Sequence, residues 1–301
     1  MLDVRRVLLL AEVARRGSVT ATARALNYTP SAVSQQISRL EAEAGQPLLE
    51  RHARGVTLTD AGRALVDRGE RIERELTAAE NELADFAGLR AGTLRVGTFP
   101  TVGASLLPPA VIAFKEAHPE IRLTVRSSRI AGLWRMLENR EIELSLMWDY
   151  DWCRIDRDDA TVTPLLDDPP ALLVGDRHPL ARRRSAALAQ LADDAWITRA
   201  DNHPVAEALT RSCRAAGFEP QIAYEAHDYQ EAQAMVAAGI GVALAPTLAL
   251  DGVRPGVKVL PLRPRTAVRR ILLVRMTDHA LTHAAQAFAE LLRRSAASRG
   301  A

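Results

Sequence analysis

The segment from Asp60 to Leu89 contains no proline and carries apolar residues at heptad spacing. An apolar seam sustained over about three heptads predicts a long amphipathic helix. Such a stripe either packs on the helix's own domain or pairs with a second copy of the chain. The flanking sequence offers little else to cover it, so we expect this helix to form a dimer. The expected dimerisation residues are Leu65, Ile72, Leu76, Ala79, Leu83 and Phe86.

The chain differs in character on the two sides of this helix. Its 301 residues are enough for about two domains. Short helices and a hairpin are predicted before the helix, whereas strands and helices alternate from residue 92 onward. This βαβαβ order predicts parallel sheets in two lobes. We therefore predict an α+β multidomain fold with a helix-turn-helix domain (1–58), a linker helix (59–89) and a bilobed α/β domain (90–301), in which lobe I is 92–162 with 267–301 and lobe II is 163–266.

Composition narrows the class of protein. Apolar residues make up 48% and charged residues 25%, which is ordinary for a soluble globular chain. Lys and Arg number 39 against 37 Asp and Glu, so the chain is not a polycation. Cys153 and Cys213 are too far apart to predict a disulfide framework or a redox pair. The apolar runs Val7–Leu10 and Ala234–Leu250 are too short or interrupted, so we predict neither a signal peptide nor a membrane span and expect a cytoplasmic protein.

Three short helices are predicted before residue 46. Ser18 and Thr29 are good N-cap residues, and Pro30 suits the first helical position because a missing N–H costs nothing there. Gly17 and Gly45 are typical of helix ends. The apolar face of the third helix comprises Val33, Ile37, Leu40 and Ala44. A compact helix, a short turn and a further helix indicate a helix-turn-helix.

The opposite face of the third helix is polar. Short hydroxyl side chains let a helix approach the floor of the DNA major groove, glutamine reads base edges, and arginine takes a guanine edge or a phosphate. An isolated helix with this face would be interpreted as merely solvated, but the helix-turn-helix context favours DNA contact. The candidate DNA-binding residues of this segment are Thr29, Pro30, Ser31, Ser34, Gln35, Ser38 and Arg39.

The segment from Pro47 to Thr59 is predicted to form a small hairpin, or wing. Arg51 and Arg54 flank its tip. We expect both arginines to contact phosphates or an adjacent minor groove, since they project from one side of the two-helix unit.

Several stretches of the chain resemble LysR-type transcriptional regulators. The resemblance is nearly gap-free over the first 65 or so residues, and its motifs are Ala11–Ala21, Pro30–Glu41, Leu48–Arg51 and Val56–Gly62. Looser landmarks extend it over essentially the whole chain, at His118-Pro119, His178–Leu180 and Val236–Pro246.

This resemblance implies a winged helix-turn-helix, a dimerising linker helix and an effector domain shaped like a periplasmic binding protein. It implies a homodimer or homotetramer on partly palindromic double-stranded DNA, with RNA polymerase as a further contact. It also implies a small-molecule effector between the two lobes. Two positions depart from the family pattern: Glu50 follows Leu49 where Phe is usual, which bears on wing packing, and Arg140 stands where Gly often ends a helix.

By the same resemblance, effector contacts are expected near the carboxyl ends of the strands, where open parallel sheets bind ligands. Thr101 at a predicted helix start suits an anion, and Arg129 and Arg199 add positive charge, so we expect an anionic effector. Trp148 and Trp152 either stack on an aromatic ligand or pack at the hinge. The candidate effector-binding residues are Pro100, Thr101, Ser128, Arg129, Trp148, Thr198, Arg199, Glu225 and His227.

No catalytic or metal centre is predicted, and no cofactor is expected. Gly103–Leu107 begins like a nucleophile elbow but lacks the closing glycine. His279 and His283 have the spacing of a metal pair without the glutamate or a third ligand. Gly239–Gly241 lacks the third glycine of a dinucleotide site. The alternative from another class is a small-molecule binding protein or enzyme on the bilobed domain, with the N-terminal unit used only for assembly.

Overall fold

The computed structural model describes residues 1–52, 55–86, 92–200, 204–264, 266–279 and 281–300, without the side chains of residues 51, 78, 81, 82 and 84–86. The chain divides into two compact units. The first is Met1–Leu89 with Asn139–Glu141, and the second is Arg90–Glu138 with Ile142–Ala301.

The first unit is helical apart from one antiparallel hairpin. Its elements are α1 (Val4–Arg16), α2 (Val19–Ala25), α3 (Pro30–Ala44), β1 (Leu49–His52), β2 (Gly55–Leu58) and α4 (Asp60–Phe86). The predicted caps are confirmed, since the hydroxyl of Ser18 accepts a hydrogen bond from the amide of Ala21, and that of Thr29 accepts one from the amide of Ala32. The predicted helix ends are confirmed too, because Gly17 and Gly45 adopt φ of 64° and 70°. The core joins apolar residues of the first three helices, the wing and the start of α4.

The wing closes onto the end of α1. The amide of Val56 donates to the Gly17 carbonyl at 3.2 Å, and a Cβ on Gly55 would lie 2.6 Å from that oxygen. Leu48 and Leu49 are buried, whereas Glu50 points into solvent. The wing therefore packs through its leucines, and Glu50, at the usual phenylalanine position, lies outside the core.

The second unit consists of two α/β lobes. Its helices are α5 (Pro100–Ala104), α6 (Leu107–Ala117), α7 (Ile130–Glu138), α8 (Pro204–Ala215), α9 (Tyr229–Ala237) and α10 (His283–Gly300). Its strands are β3 (Gly92–Thr98), β4 (Ile121–Ser127), β5 (Leu144–Asp149), β6 (Ala160–Asp168), β7 (Pro170–Gly175), β8 (Ala195–Arg199), β9 (Gln221–Ala226), β10 (Val242–Pro246), β11 (Val257–Pro261) and β12 (Arg269–Met276). Short 3-10 helices occupy Pro179–Arg182, Leu188–Leu191 and Thr247–Ala249.

Each lobe contains a five-stranded mixed sheet, in the order β4-β3-β5-β12-β6 for lobe I and β11-β7-β10-β8-β9 for lobe II. The three strands at one end of each order run as predicted for crossover helices: β3 is parallel to β4 and β5, and β8 is parallel to β9 and β10. The sheets as wholes are mixed, because β12 is antiparallel to β5 and β6, and β7 is antiparallel to β10 and β11. Strands β6, β7, β11 and β12 flank the two crossovers between the lobes, and no described helix reverses the chain there.

Several predicted bounds need correction. The single helix expected from Val102 to Glu116 is two helices, because Pro108 and Pro109 cannot donate to carbonyls one turn back. Strands β6 and β11 were not predicted, and β6 belongs to the lobe I sheet, so the expected lobe boundary between residues 162 and 163 falls inside it. The last helix does not end near Arg293-Arg294 but continues to Gly300. In this added part of the helix, the Ser295 hydroxyl donates to the Leu106 carbonyl.

Arg140 lies just beyond the end of α7 with φ of 55°, the left-handed conformation that favours glycine. The helix thus ends as it would with glycine, but on a residue for which this conformation is less favourable. Among the described residues, no helix is both long and apolar enough to span a membrane.

Candidate nucleic-acid interface and effector site

The two faces of α3 differ sharply in burial. Val33, Ile37 and Leu40 are at most 2% exposed and form the centre of the first unit's core. On the other side, Pro30, Ser31, Gln35, Ser38 and Arg39 are exposed, and Ser34 is half-buried. The polar face predicted for the third helix is therefore open to solvent along the helix.

The N-terminus of α3 is held by a tight turn. Asn27 adopts φ of 58°, and the Tyr28 amide donates to the Ala23 carbonyl at 2.8 Å. Thr29 caps the helix and its hydroxyl lies 3.0 Å from that of Ser31. Tyr28 itself is 61% exposed and directly precedes the cap. Tyr28 was not among the predicted DNA-binding residues, although a tyrosine in a polar turn was the available signal.

Glu41 links α3 to the wing. Its Oε1 accepts hydrogen bonds from the backbone amides of Leu48 and Leu49, at 2.9 and 3.2 Å. Glu41 was not among the residues predicted to have a role. The structure gives it a positioning role at the entrance to β1.

The backbone of Arg51 lies in β1, opposite Val56. The side chain of Arg51 and all of Arg54 lie outside the described residues. Their expected contact with DNA phosphates remains a prediction.

The apolar seam of α4 divides into two parts. Leu65 and its neighbour Val66 pack against the core of the first unit, and a Cβ on Gly69 would meet Val7 at 2.5 Å. Farther along, Ile72, Leu76 and Leu83 are 37%, 50% and 67% exposed. Ala79 is exposed as well, and the Phe86 side chain lies outside the description. Intradomain packing therefore accounts for Leu65, and the later residues form an uncovered apolar face.

In lobe I, the predicted effector residues gather where β3 and β4 end. Thr98 and Ser127 are register partners, and the Ser128 amide donates to the Thr98 carbonyl at 3.0 Å. Pro100 begins the five-residue helix α5, with Thr101 second and half-buried. Arg129 is exposed, and its carbonyl accepts from Leu133 at the start of α7.

Trp148 was expected after its strand but lies within β5, which continues to Asp149. Its ring is buried and meets Tyr150 edge to face at 5.4 Å between centroids, and Tyr150 in turn stacks on Trp152 at 4.5 Å. The tryptophans thus pack in a row of aromatic rings at the end of β5. This geometry favours the hinge-packing interpretation over stacking on a ligand.

In lobe II, the structure brings together the remaining predicted residues. Thr198 is paired with Glu225, and Arg199 with Ala226, at the carboxyl ends of β8 and β9. Glu225 and His227 are exposed, whereas Thr198 and Arg199 are half-buried.

The predicted cap of α9 is confirmed in part. Asp228 accepts from the Glu231 amide at 2.7 Å, and the Glu231 carboxylate accepts mainly from the His227 amide, at 2.6 Å, with a weaker contribution from the amide of Asp228. Glu231 also accepts from the Tyr224 hydroxyl at 2.6 Å, and this bond, with the His227 amide, lowers the pKa of Glu231. The carboxylate therefore stays ionised and fixes the loop that carries His227.

A group that sequence reasoning missed lies at the junction of the lobes. Arg269 donates two hydrogen bonds to Asp168, at 2.6 and 3.1 Å, and both side chains are at most 3% exposed. The other oxygen of Asp168 accepts from the Thr247 hydroxyl and the Leu248 amide, at 2.8 and 3.0 Å. Asp168 thus ties β12 of lobe I to the 3-10 helix of lobe II. The paired Arg269-Arg270 at a strand start was the only sequence signal.

Tyr229, at the start of α9, faces this ion pair. The Tyr229 hydroxyl is buried without a hydrogen-bond partner among the described residues, and the same holds for Nε of Arg199. The Arg199 guanidinium lies 5.3 Å from the centre of the Tyr229 ring. Burial raises the pKa of Tyr229, against the opposing effect of Arg269 and Arg199. Within the described part of the chain, the junction therefore presents a neutral phenol and the Nε of Arg199, both donors without an acceptor.

An exposed helix-turn-helix face with a wing, together with a bilobed domain whose described residues leave buried donors without acceptors between the lobes, defines a DNA-binding regulator with a small-molecule-binding domain. Comparison with known proteins agrees. Residues 4–63 match the model of the bacterial regulatory helix-turn-helix protein, lysR family, and residues 87–297 match that of the LysR substrate binding domain. The chain belongs to the LysR family. It is a DNA-binding transcriptional regulator with an effector-binding domain.

Relatives of similar length support this assignment. The transcriptional dual regulator GltC of Bacillus subtilis is 28% identical over 293 residues, which cover 97% of this chain and 96% of GltC. The DNA-binding transcriptional dual regulator OxyR of Escherichia coli is 27% identical over 295 residues, or 97% and 95% of the two chains. Full-length CbnR in complex with its target DNA shares the fold with a TM-score of 0.74 at 22% identity, covering 98% of this chain and all of CbnR.

Proposed function

We propose that the exposed face of α3 reads bases in the DNA major groove. The observation that carries this proposal is the burial contrast along α3, which hides Val33, Ile37 and Leu40 and exposes Ser31, Gln35 and Ser38. A helix with small hydroxyls beside a glutamine can approach base edges closely. Thr29, Pro30, Ser34 and Arg39 complete the interface, with Arg51 and Arg54 of the wing on phosphates.

We propose that two chains pair through the exposed part of α4 and place two copies of α3 on a partly palindromic operator. Exposed Ile72, Leu76 and Leu83 support this, since a row of large apolar side chains on a helix is typical of a packing face. A homodimer is the minimal assembly, and a homotetramer would pair two dimers on one DNA.

The effector is proposed to be a small anion bound between the lobes, near Thr101, Ser128 and Arg199. The unpartnered Arg199 Nε and Tyr229 hydroxyl support it, because buried donors without acceptors are costly and an anionic ligand satisfies both. Trp148, Glu225 and His227 shape the surrounding wall. The ligand would lie beside Asp168, which joins both lobes. It acts by binding one arrangement of the lobes more tightly than another, and so favours that arrangement. That change would alter DNA bending and contact with RNA polymerase.

We also propose that the chain works in the cytoplasm, where DNA is accessible, and that it catalyses no reaction of its own. The alternative, a binding protein or enzyme whose N-terminal unit serves assembly alone, leaves the exposed polar face of α3 without a purpose.

The DNA interface is tested with three variants of the full-length chain on its own promoter region. Replacing Ser34 and Gln35 with Ala should reduce selectivity for operator over random DNA by about tenfold or more. Arg51→Ala should weaken binding to both DNAs alike and flatten the salt dependence by about one phosphate contact. Gln221→Ala, at an exposed position of β9, is the control and should change nothing. Unchanged selectivity in the double variant would refute the role of α3.

The effector proposal is tested by calorimetric titration with matched carboxylates and amides. Carboxylates should bind, and Arg199→Ala should weaken them about tenfold by removing a charge-assisted hydrogen bond. Binding of the amides alone would contradict an anionic effector, without affecting the proposal for DNA.

A further inference from the structure

A pocket of about 440 Å³ lies on the hinge side of the second unit. We call it the hinge pocket; Trp152, Leu188, Arg211, Ala215, Thr266 and Ala267 line it. Neither Arg199, Tyr229 nor Arg269 borders it, so it is separate from the junction proposed to hold the effector. Its volume is within the range of small-molecule sites, about 300–1,000 Å³.

Three parts of the unit form the walls. Trp152 comes from the loop after β5 in lobe I, Arg211 and Ala215 from α8 in lobe II, and Thr266 and Ala267 from the crossover between β11 and β12. The pocket is therefore lined by both lobes and by the segment that joins them.

Alanines and other apolar side chains form much of the lining. Leu188 is buried at the bottom, Ala267 is half-buried, and Ala215 is exposed at the rim. Close-packed interiors leave few openings larger than a water molecule, so an apolar opening of this size suits an apolar guest.

Two polar groups in the lining could orient a bound ligand. The Thr266 hydroxyl is buried and has no hydrogen-bond partner among the described residues. The Arg211 guanidinium lies 5.1 Å from the centre of the Trp152 ring, and its Nε donates to Glu207 at 2.7 Å. Its terminal nitrogens make no hydrogen bond within the described part of the chain. A hydroxyl and a guanidinium at one apolar opening favour a carboxylate head group.

We propose that the hinge pocket is a second ligand site, specific for a small carboxylic acid with a flat apolar body. The carboxylate accepts from Thr266 and Arg211, and the body lies along Leu188, Ala215 and Ala267. Because the ligand touches both lobes and their crossover, it stabilises the interlobe arrangement in which these walls meet. The hinge pocket is thus a second place, distinct from the effector junction, at which a ligand influences the arrangement of the lobes.

The probe for this site is 2-naphthoate, titrated calorimetrically into the full-length protein, with 2-naphthol as the neutral match. We expect saturable binding of naphthoate at the hinge pocket and at least tenfold weaker binding of naphthol. Thr266→Val keeps the side-chain shape but removes the hydroxyl, and should weaken naphthoate about tenfold.

A blocking variant and its control locate the binding. Ala215→Trp fills the pocket from an exposed helical position and should abolish this naphthoate binding, whereas Ala297→Trp, at an exposed position of α10, should leave it unchanged. A wild-type thermal unfolding transition of the second unit shows that each variant is folded. The Arg199→Ala variant should keep the naphthoate binding that is lost in Ala215→Trp. Two results would overturn the proposal for the hinge pocket and leave the proposal for DNA recognition untouched. One is naphthoate binding that is lost in Arg199→Ala but intact in Ala215→Trp and Thr266→Val. The other is no naphthoate binding to the wild type.

Discussion

The carboxylate of Glu41 accepts a hydrogen bond from the backbone amide of Leu48 at 2.9 Å, and so joins the last turn of α3 to the first strand of the wing. The Leu49 amide shares the same oxygen at 3.2 Å. Leu48 is almost fully buried, so its amide has no access to water as an alternative acceptor. Glu41 therefore contributes to the relative placement of α3 and the wing, beside the packing of Leu48 and Leu49 and the hydrogen bond from Val56 to Gly17.

Replacing Glu41 with Ala should destabilise the first unit by about 1–3 kcal/mol, because two backbone donors lose their acceptor. DNA affinity should fall with it, as the wing loses its fixed position. Glu41→Gln retains an amide oxygen at the same place and should recover most of both properties. Thermal unfolding and DNA titration measure the two effects, and equal stability of the Ala and Gln variants would show that the acceptor does not matter.

The buried pair of Asp168 and Arg269 should be the most sensitive position of the second unit. Arg269→Met leaves Asp168 as a buried, uncompensated carboxylate, which should cost about 3–5 kcal/mol of unfolding free energy. The control is Arg299→Met, which breaks a largely exposed pair with Asp251 and should cost about 1 kcal/mol or less. Denaturant unfolding of the full-length chain compares them. Equal losses would mean that burial does not set the strength of these pairs.

Charge on the exposed face of α4 should prevent self-association. Leu76→Glu and Leu83→Glu each place a carboxylate in the proposed dimer seam and should shift the protein to monomer, with weaker binding to a two-site operator. Glu80→Lys changes an exposed charge off the seam and should leave the assembly intact. Light scattering after size-exclusion chromatography reports the mass. A dimer that survives both leucine variants would place the interface elsewhere.

The two cysteines should differ widely in reactivity. Burial raises the pKa of the Cys213 thiol to about 12, with a smaller contribution from Glu219. The thiolate is the reactive form, so at pH 8 Cys213 remains protonated and unreactive, and becomes reactive only as pH approaches 12 or the fold opens. Cys153 is exposed. A chromogenic disulfide reagent should therefore label one thiol rapidly in the native protein and two after denaturation, and Cys153→Ser should abolish the rapid phase. Rapid labelling of both native thiols would contradict the burial of Cys213.

Local signals predicted the first unit well. Ser18, Thr29 and Gly45 act through bonds and backbone angles within a few residues, so their roles as caps follow from the sequence alone. The same holds for the burial of Ile37, since helical periodicity decides which face is apolar. The position of Glu41 does not follow in this way, because its partners lie seven and eight residues away across a turn.

The second unit was harder to predict. Alternating strands and helices indicated two lobes, and the ends of β8 and β9 carry the residues expected there. The mixed sheets were missed because periodicity does not specify strand direction, which depends on where the chain crosses between lobes. Thr101 and Trp148 show the same limit, since the bounds of α5 and β5 decide what each side chain faces.

The sequence by itself determined the local elements, the apolar and polar faces of α3, and the family, because each depends on residue types at short spacings. Only the tertiary structure decided that Asp168 and Arg269 meet, that Thr266 opens into a pocket, and that the buried donors of Tyr229 and Arg199 find no acceptor among the described residues. These contacts join residues as much as 101 positions apart, and their burial is set by packing between elements, which no local pattern encodes.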